Sequence, residues 1–255
     1  MAPFRINNLN SLTKKIHESQ KKWRDNNWKK SLDEHGDEIE EILEIISVFN
    51  KWENKLRNED VAKKLFPEIF IDAFASVHFS CFGFYKYANM CLRSELETTL
   101  RLIFFSTHPV EFKWWLGGNK AYKNILNPAR DVWGQKFHYF ENLENVKKFE
   151  ENCSDNKKVF STSKFNNFYY FLSQFIHTSA GHFQSRPGKF SPIYSLEEFK
   201  QWSSKFKEAQ TYINILLTLS FSDVFKDMSA NARDLVLSKG IGNEYKDVVK
   251  NIFNL

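Results

Sequence analysis

The stretch from residue 69 to residue 105 constrains the fold more than any other part of the chain. It is largely apolar and contains one glycine and no proline over 37 residues. A run of this length exceeds any ordinary β-strand, so it predicts one long helix. A second long run with an apolar stripe, at 196–226, predicts a partner for it. We therefore expect an all-α bundle around two long antiparallel helices, with a helix at 165–179 beside them.

The overall composition supports a helical protein of the cell interior. The 255 residues include only 9 Gly and 6 Pro, too few for the turns of a many-stranded β-protein. The three cysteines form no C-x-x-C pair, which favours a reducing compartment. The N-terminal residues lack the apolar core of a signal peptide, and Asp72 and His78 interrupt the most apolar run. These features predict a cytoplasmic protein without a membrane span.

The positions of glycine and proline suggest how the chain is divided. We expect an N-terminal helical extension at 1–64 and a helical bundle at 65–255. The extension is predicted to break near Gly36, and the helix preceding Pro67 is predicted to stop there.

Two later helices carry recognisable end signals. Pro109 is expected in the first turn of a short helix that Gly117 and Gly118 end. Ser195 and Glu198 have the spacing of a capping box at the start of the long C-terminal helix.

Charge in the extension is segregated into a basic stretch at 14–30 and an acidic stretch at 33–41. The two stretches could pair as neighbouring helices with solvated faces, or the basic stretch could be an arm that binds a polyanion. The whole chain has a formal net charge of +5. That mild basicity is compatible with a nucleic-acid partner, and equally with the codon bias of an AT-rich genome.

Four polar residues form an ordered set within the 69–105 segment. Asn89, Arg93, Glu97 and Arg101 follow one another at steps of four, each turning about 40° around a helix. Two guanidiniums on either side of a carboxylate are costly to bury unless they are paired. The row is therefore either an internal ion-pair ladder or part of a reactive cleft.

A histidine stands near the end of the predicted 165–179 helix. His177 lies among aromatic and aliphatic neighbours, and His182 follows five residues later, beyond the expected helix end. Such a histidine can be a core or capping residue. A neutral imidazole facing arginines can instead take a proton from a ribose hydroxyl, while guanidinium stabilises the reacting phosphate without a metal.

Several common catalytic signatures are absent from the sequence. It contains no H-E-x-x-H, no phosphate-binding glycine loop and no G-x-S-x-G elbow. We therefore predict no metal and no cofactor, and the common hydrolases, kinases, dinucleotide enzymes and zinc enzymes are disfavoured.

These motifs together resemble the HEPN superfamily, and in particular its abortive-infection-like branch. The resemblance lies in CLRSELETTLRLIFFSTHPVEF, an L-R-x-x-L-E helix, followed by NFYYFLSQFIHTSAG, an L-S-x-x-x-H helix. It extends over roughly residues 65–225. It implies a helical bundle from a bacterial defence or toxin system, commonly dimeric, and often a metal-independent endoribonuclease that uses arginine and histidine.

The family's signature is an arginine, four to six residues, then a histidine. Arg101 and His108 have six residues between them. His177 has no arginine at that distance before it, so in this family's chemistry its arginine would be Arg93 or Arg101.

Two functions are expected from this resemblance. In the first, the protein is a ribonuclease with candidate catalytic residues Arg93, Glu97, Arg101, His177 and His182, and with RNA as a candidate partner. His177 would act as general acid or base, the arginines would bind phosphate, and Glu97 would orient an arginine. In the second, the protein is a non-catalytic interaction or regulatory subunit and the row is structural.

The aromatic content also points to an assembly. Aromatic pairs such as Trp114 and Trp115 tend to sit in interfaces when they are exposed. We expect a homodimer or a complex with a partner protein of the same system.

Overall fold

The computed structural model describes residues 6–118, 143–160, 163–176 and 194–255, and all of its regular elements in these ranges are helical. The all-α class predicted from the sequence is thus confirmed. Its helices are α1 (Ile6–Ser47), α2 (Phe49–Leu56), α3 (Asp60–Cys81), α4 (Tyr85–Thr107), α5 (Pro109–Leu116), α6 (Glu144–Asn152), α7 (Ser163–Ile176), α8 (Leu196–Ser220), α9 (Ser222–Lys226), α10 (Ala230–Leu235) and α11 (Lys246–Phe253), with a π-helical turn at Val236–Ile241 after α10.

The single helix predicted for 69–105 is wrong, because the chain reverses direction at residues 82–84. Gly83 adopts a φ of 77°, which other residues rarely do. Its N–H donates to the Ser80 carbonyl at 2.9 Å, and the Phe84 N–H donates to the Phe79 carbonyl at 2.8 Å. The Phe79 and Phe84 rings also touch, with centroids 6.2 Å apart. These are the hydrogen bonds and the apolar contact of a Schellman motif, which ends α3 and starts α4.

The antiparallel pairing expected for the two long helices is not confirmed for α4, the second half of the 69–105 segment. Tyr85 at the start of α4 hydrogen-bonds the backbone of Ser195 at the start of α8. Farther along both helices, Gln210 hydrogen-bonds Glu95. Residue numbers therefore increase together along the two helices from the first contact to the second. This shows that α4 and α8 run in the same general direction.

The predicted stop at Pro67 is also wrong, since Pro67 lies inside α3. Proline there removes the hydrogen bond to the carbonyl of Lys63. Lys63 and Pro67 are both exposed, so water can satisfy that carbonyl. The neighbours Phe66 and Ile69 are buried in the core and hold the helix in place across this position.

Other predicted helix ends are confirmed. Pro109 opens α5 and Gly117 follows its last residue. The Ser195 hydroxyl accepts the Glu198 N–H at 3.4 Å at the start of α8. The long run predicted at 196–226 is interrupted at Phe221, between α8 and α9.

The acidic and basic stretches are consecutive halves of α1, so they do not pair as neighbouring helices. The predicted break falls at His35, whose φ and ψ are −139° and 23°. Beyond it, the acidic half lies along α8 and the π-helical turn. Glu41 pairs with Lys207 at 2.6 Å and Glu44 with Lys239 at 2.5 Å.

A continuous apolar core runs from Ile39 in α1 to Phe253 in α11. Trp52 lies fully buried within it, and its indole N–H donates to Asn214 of α8 at 3.1 Å. Residues on both sides of position 64 contribute to this core, while the division into 1–64 and 65–255 remains a prediction. Within the described ranges, no helix combines the length and apolarity needed to cross a membrane.

Candidate functional site

The arginine row, here Arg93, Glu97 and Arg101, lies on one side of α4 with the carboxylate in the middle. Glu97 Oε1 is 3.0 Å from Arg93 Nε, and Glu97 Oε2 is 3.5 Å from Arg101 Nη2. Helical spacing alone brings these groups together, because residues four apart are neighbours on a helix surface. The ion-pair ladder considered from the sequence is therefore present.

Tyr169 of α7 completes this cluster, and sequence reasoning missed it. Its hydroxyl donates to Glu97 Oε1 at 2.6 Å and accepts from Arg93 Nη2 at 2.9 Å. The Arg93 guanidinium also lies 5.1 Å from the centre of the Tyr169 ring, within cation–π range. Burial, and then the hydrogen bond to Glu97, raise the pKa of Tyr169 to about 12, so the phenol keeps its proton.

Exposure differs along the row. The side chains of Arg93 and Glu97 are 13% and 17% exposed, and that of Arg101 is 26% exposed. Within the described part of the chain, the buried Nε of Arg101 also has no hydrogen-bond partner. Arg93 is thus bound by both Glu97 and Tyr169. Arg101 has the longer contact with the carboxylate and the greater access to solvent.

Asn89 does not extend the row as its spacing suggested. Its side chain is buried and its amide nitrogen donates to the Tyr85 carbonyl one turn earlier, at 2.8 Å. Asn89 therefore bonds to the backbone of its own helix.

Of the histidines considered for the candidate site, only His108 lies within the described residues. His177 and His182 lie outside the described residues. His108 is the junction between α4 and α5. Its ring stacks on Phe104 with centroids 4.1 Å apart, and its Nδ1 lies 2.9 Å from the Phe104 carbonyl oxygen. His108 is seven residues beyond Arg101, which corresponds to about 10.5 Å along the helix axis. Its ring contacts with Phe104 lie in the last turn of α4.

A second polar cluster lies deeper, between α3, α4 and α8. Glu95 is fully buried and accepts the Gln210 amide N–H at 2.7 Å. Burial, with a smaller contribution from Asp72, raises the pKa of Glu95 well above its usual range. Burial also raises the pKa of Asp72, against the effect of its hydrogen bond to Ser94. The signal for this cluster was present in Glu95, a charged residue at a core position two residues before Glu97.

Cys91 adjoins this cluster but is not activated. Burial, followed by the charges of Asp72 and Glu95, raises the pKa of its thiol to about 12. Thiolate is the nucleophilic form, so this cysteine is unreactive at neutral pH. Among the described residues, no group of three or more His, Cys, Asp or Glu side chains is placed to hold a metal ion.

The helical hairpin of α3 and α4 carries an exposed apolar surface, here termed the hairpin face. It consists of Ile71, Phe74, Phe79 and Tyr87, which are 56%, 47%, 36% and 46% exposed. Phe79 and Tyr87 connect the two helices, with ring centroids 5.9 Å apart. A shallow groove on α3 continues this surface through Phe70, Ala75 and His78.

Trp114 and Trp115 divide between surface and core. Trp114 is 47% exposed on α5. Trp115 packs on Phe105, with centroids 5.4 Å apart, and on Phe112. One tryptophan of the pair is therefore available at the surface.

Comparison with protein-family models, with curated proteins and with solved structures finds no match to this chain. The likeness to the HEPN superfamily therefore rests on the sequence motifs alone.

Proposed function

We propose that this protein is a helical interaction protein that pairs with a second copy of itself through the hairpin face. The observation that carries the proposal is the exposure of four large apolar side chains on two adjacent helices. The largest apolar patch on a monomer is typically about 300–600 Å² and is often a functional surface, and the hairpin face has that size.

The size of the hairpin face fits this role. With about 200 Å² for each large side chain, these exposed fractions leave roughly 370 Å² of apolar surface on its four residues. A standard interface buries about 800 Å² from each partner. The four residues thus supply nearly half of one side, and half-buried neighbours such as Ala75 and Met90 extend it.

The chemistry of the hairpin face favours a second copy as the partner. Its four side chains carry no charge, so nothing in it demands a partner of opposite charge. A two-fold axis places the same patch on itself, which suits a self-complementary apolar surface. The HEPN resemblance also implies dimers.

The arginine row has a structural role in this proposal. Arg93, Glu97 and Tyr169 satisfy one another and join α4 to α7. A guanidinium held in this way must give up a hydrogen bond and an ion pair before it can bind a phosphate. We therefore place the partner surface away from the row, and the assignment to a defence or toxin system rests on the HEPN resemblance alone.

Light scattering at micromolar concentration tests the dimer. We expect wild type to be a dimer, Ile71→Ser with Phe74→Ser to be a monomer, and the control Leu43→Ser with Leu196→Ser to remain a dimer. The control residues are also exposed and apolar but lie outside the hairpin face. A monomeric wild type, or equal dissociation of both variants, would overturn the proposal.

A second candidate function is a metal-independent endoribonuclease, favoured by the solvent access of Arg101 and by the position of α7. Tyr169 anchors α7 on the row, and His177 directly follows the last residue of α7. In this candidate His177 is the general acid or base, with His182 nearby in sequence. Arg93 and Arg101 bind the phosphate of RNA and Glu97 orients an arginine.

A cleavage assay in EDTA tests this second candidate. It predicts RNA cleavage by wild type and its loss in His177→Ala and Arg101→Ala, with thermal melts showing that both variants fold. Equal cleavage by all three proteins would remove these residues from catalysis.

A further inference from the structure

The first half of α1 carries the excess charge of the whole protein. Residues 14–30, here termed the basic arm, contain seven Lys or Arg and two Asp or Glu, a net charge of +5. The remaining 29 basic and 29 acidic residues of the chain cancel. All seven cationic side chains of the basic arm are exposed.

One side of the basic arm is fixed to the hairpin between α3 and α4. Trp23 packs on Phe84 with ring centroids 5.1 Å apart, and Trp28 packs on Phe82 at 5.3 Å. Between them, the Asn27 amide donates to the Phe82 carbonyl at 3.0 Å. These contacts use the apolar side of the arm and hold it against the bundle.

The opposite side presents lysines at a regular spacing. Lys15, Lys22 and Lys29 are seven residues apart, so they share one face at intervals of about 10.5 Å. None of the three has a hydrogen bond or ion pair with another described residue. Glu18 and Asp25 lie on the same side, but they leave the arm with its excess of positive charge.

In the acidic half of α1, unlike in the basic arm, charged side chains form ion pairs with other elements of the described fold. Past the kink at His35, Glu41 and Glu44 pair with Lys207 and Lys239 of other elements. In the basic arm the contacts of the cations are mainly local, as in the pair of Arg24 with the adjacent Asp25 at 3.5 Å. The chain thus neutralises one half of the helix and leaves the other charged.

We infer that the outward face of the basic arm binds the phosphodiester backbone of a nucleic acid. Lys15 and Lys29 are about 21 Å apart, which matches roughly six nucleotides at 3.4 Å per step. Lysine contacts to phosphate are independent of base sequence, so the arm is expected to contribute affinity and not specificity.

The same geometry argues against a membrane surface as the partner. A helix that lies in the lipid interface must insert an apolar face below its cationic residues. In the basic arm, that face is already occupied by contacts of Trp23 and Trp28 with the bundle. A nucleic acid needs only the exposed charges.

Fluorescence anisotropy with labelled 20-nucleotide RNA and DNA strands of one sequence tests the inference. The test variant is Lys15→Gln with Lys22→Gln and Lys29→Gln. The control is Lys64→Gln with Lys147→Gln and Lys200→Gln, which removes three exposed lysines elsewhere. The two probes also show whether the backbone bound is that of RNA, of DNA or of both.

The expected result is quantitative. Removing three phosphate contacts should make the slope of log affinity against log salt shallower by about 2, and weaken binding ~100-fold at 0.1 M salt. The control variant should bind like wild type. Equal affinities for all three proteins, equal losses in both variants, or no binding by wild type would overturn the inference. Binding of wild type to phosphatidylserine vesicles without RNA or DNA binding would also overturn it, and would assign the arm to a membrane surface.

The inference is independent of the proposed dimer, because the basic arm and the hairpin face have no residue in common. A dimeric protein that binds no nucleic acid contradicts the inference alone. A monomeric protein that binds through the arm contradicts the proposed function alone.

Discussion

The arginine row on α4 and the basic arm on α1 are both sets of charged residues at helical spacing, yet they have opposite surroundings. In the row, Glu97 and Tyr169 take up the charge of Arg93 within a half-buried cluster. In the arm, lysines face solvent because the helix is packed on its other side only. The packing of neighbouring helices, and not the spacing of the residues, therefore decides whether such charges stabilise the fold or face solvent.

The largest effect on stability is expected from Glu97→Gln. It leaves two guanidiniums near each other without the carboxylate that compensates them. Breaking a buried ion pair costs 3–5 kcal/mol, and the partial exposure of this one reduces the expected loss to about 2 kcal/mol. Urea denaturation measures it. An unchanged free energy of unfolding would show that the row is a surface feature like the arm.

Tyr169→Phe should have the next largest effect. It removes the hydroxyl that bridges Glu97 and Arg93 but keeps the ring beneath the guanidinium. A hydrogen bond to a charged group contributes roughly 1.5–3 kcal/mol, so we expect a loss of about 1.5 kcal/mol. The matched control is Tyr170→Phe, because Tyr170 is exposed on the same helix. Equal losses in both variants would contradict the bridging role.

Glu95→Gln should have the opposite sign to Glu97→Gln, although the residues are two apart. The pKa of Glu95 is raised in the folded state, so its favourable contribution is present below its ordinary pKa and is lost as pH rises through the folded pKa. The amide variant removes that loss. We expect the free energy of unfolding of this variant to exceed that of wild type by about 1 kcal/mol at pH 8 and to equal it near pH 4.

Thermal melts across this pH range, with Glu97→Gln measured in parallel, check the opposite signs. A variant destabilised at every pH would show that Glu95 is ionised and paired in the folded protein.

The smallest stability effect is expected from the basic arm. Lys15→Gln with Lys22→Gln and Lys29→Gln should change the free energy of unfolding by less than about 0.5 kcal/mol, because exposed unpaired lysines stabilise little. Urea denaturation beside wild type measures it. A large loss of unfolding free energy would show that these lysines stabilise the fold, as the arginine row does.

Local signals in the sequence accounted for much of the helical pattern. The cap at Ser195 and the Pro109 and Gly117 boundaries depend on residues within one helical turn, and those predictions are confirmed. The turn at Gly83 also has a local signal, a glycine with Phe79 and Phe84 at Schellman positions. The apolar run around it concealed that signal.

The candidate site was less predictable because its contacts join distant parts of the chain. The spacing of Arg93, Glu97 and Arg101 predicted their mutual contacts. Tyr169 lies 72 residues beyond Glu97, and nothing in its local sequence distinguishes it from the adjacent Tyr170. Which aromatic residue reaches the carboxylate depends on how α7 packs against α4, and spacing within one helix does not contain that information.

The most direct test of the contrast between the two charged sets is the salt dependence of RNA binding in Arg101→Gln and in the triple lysine variant of the basic arm. Arg101 is the most exposed arginine of the row, so its substitution is the strictest comparison. We predict that the triple variant makes the slope of log affinity against log salt shallower by about 2 and that Arg101→Gln leaves it unchanged. A shallower slope in Arg101→Gln with an unchanged slope in the triple variant would contradict the assignment of both sets.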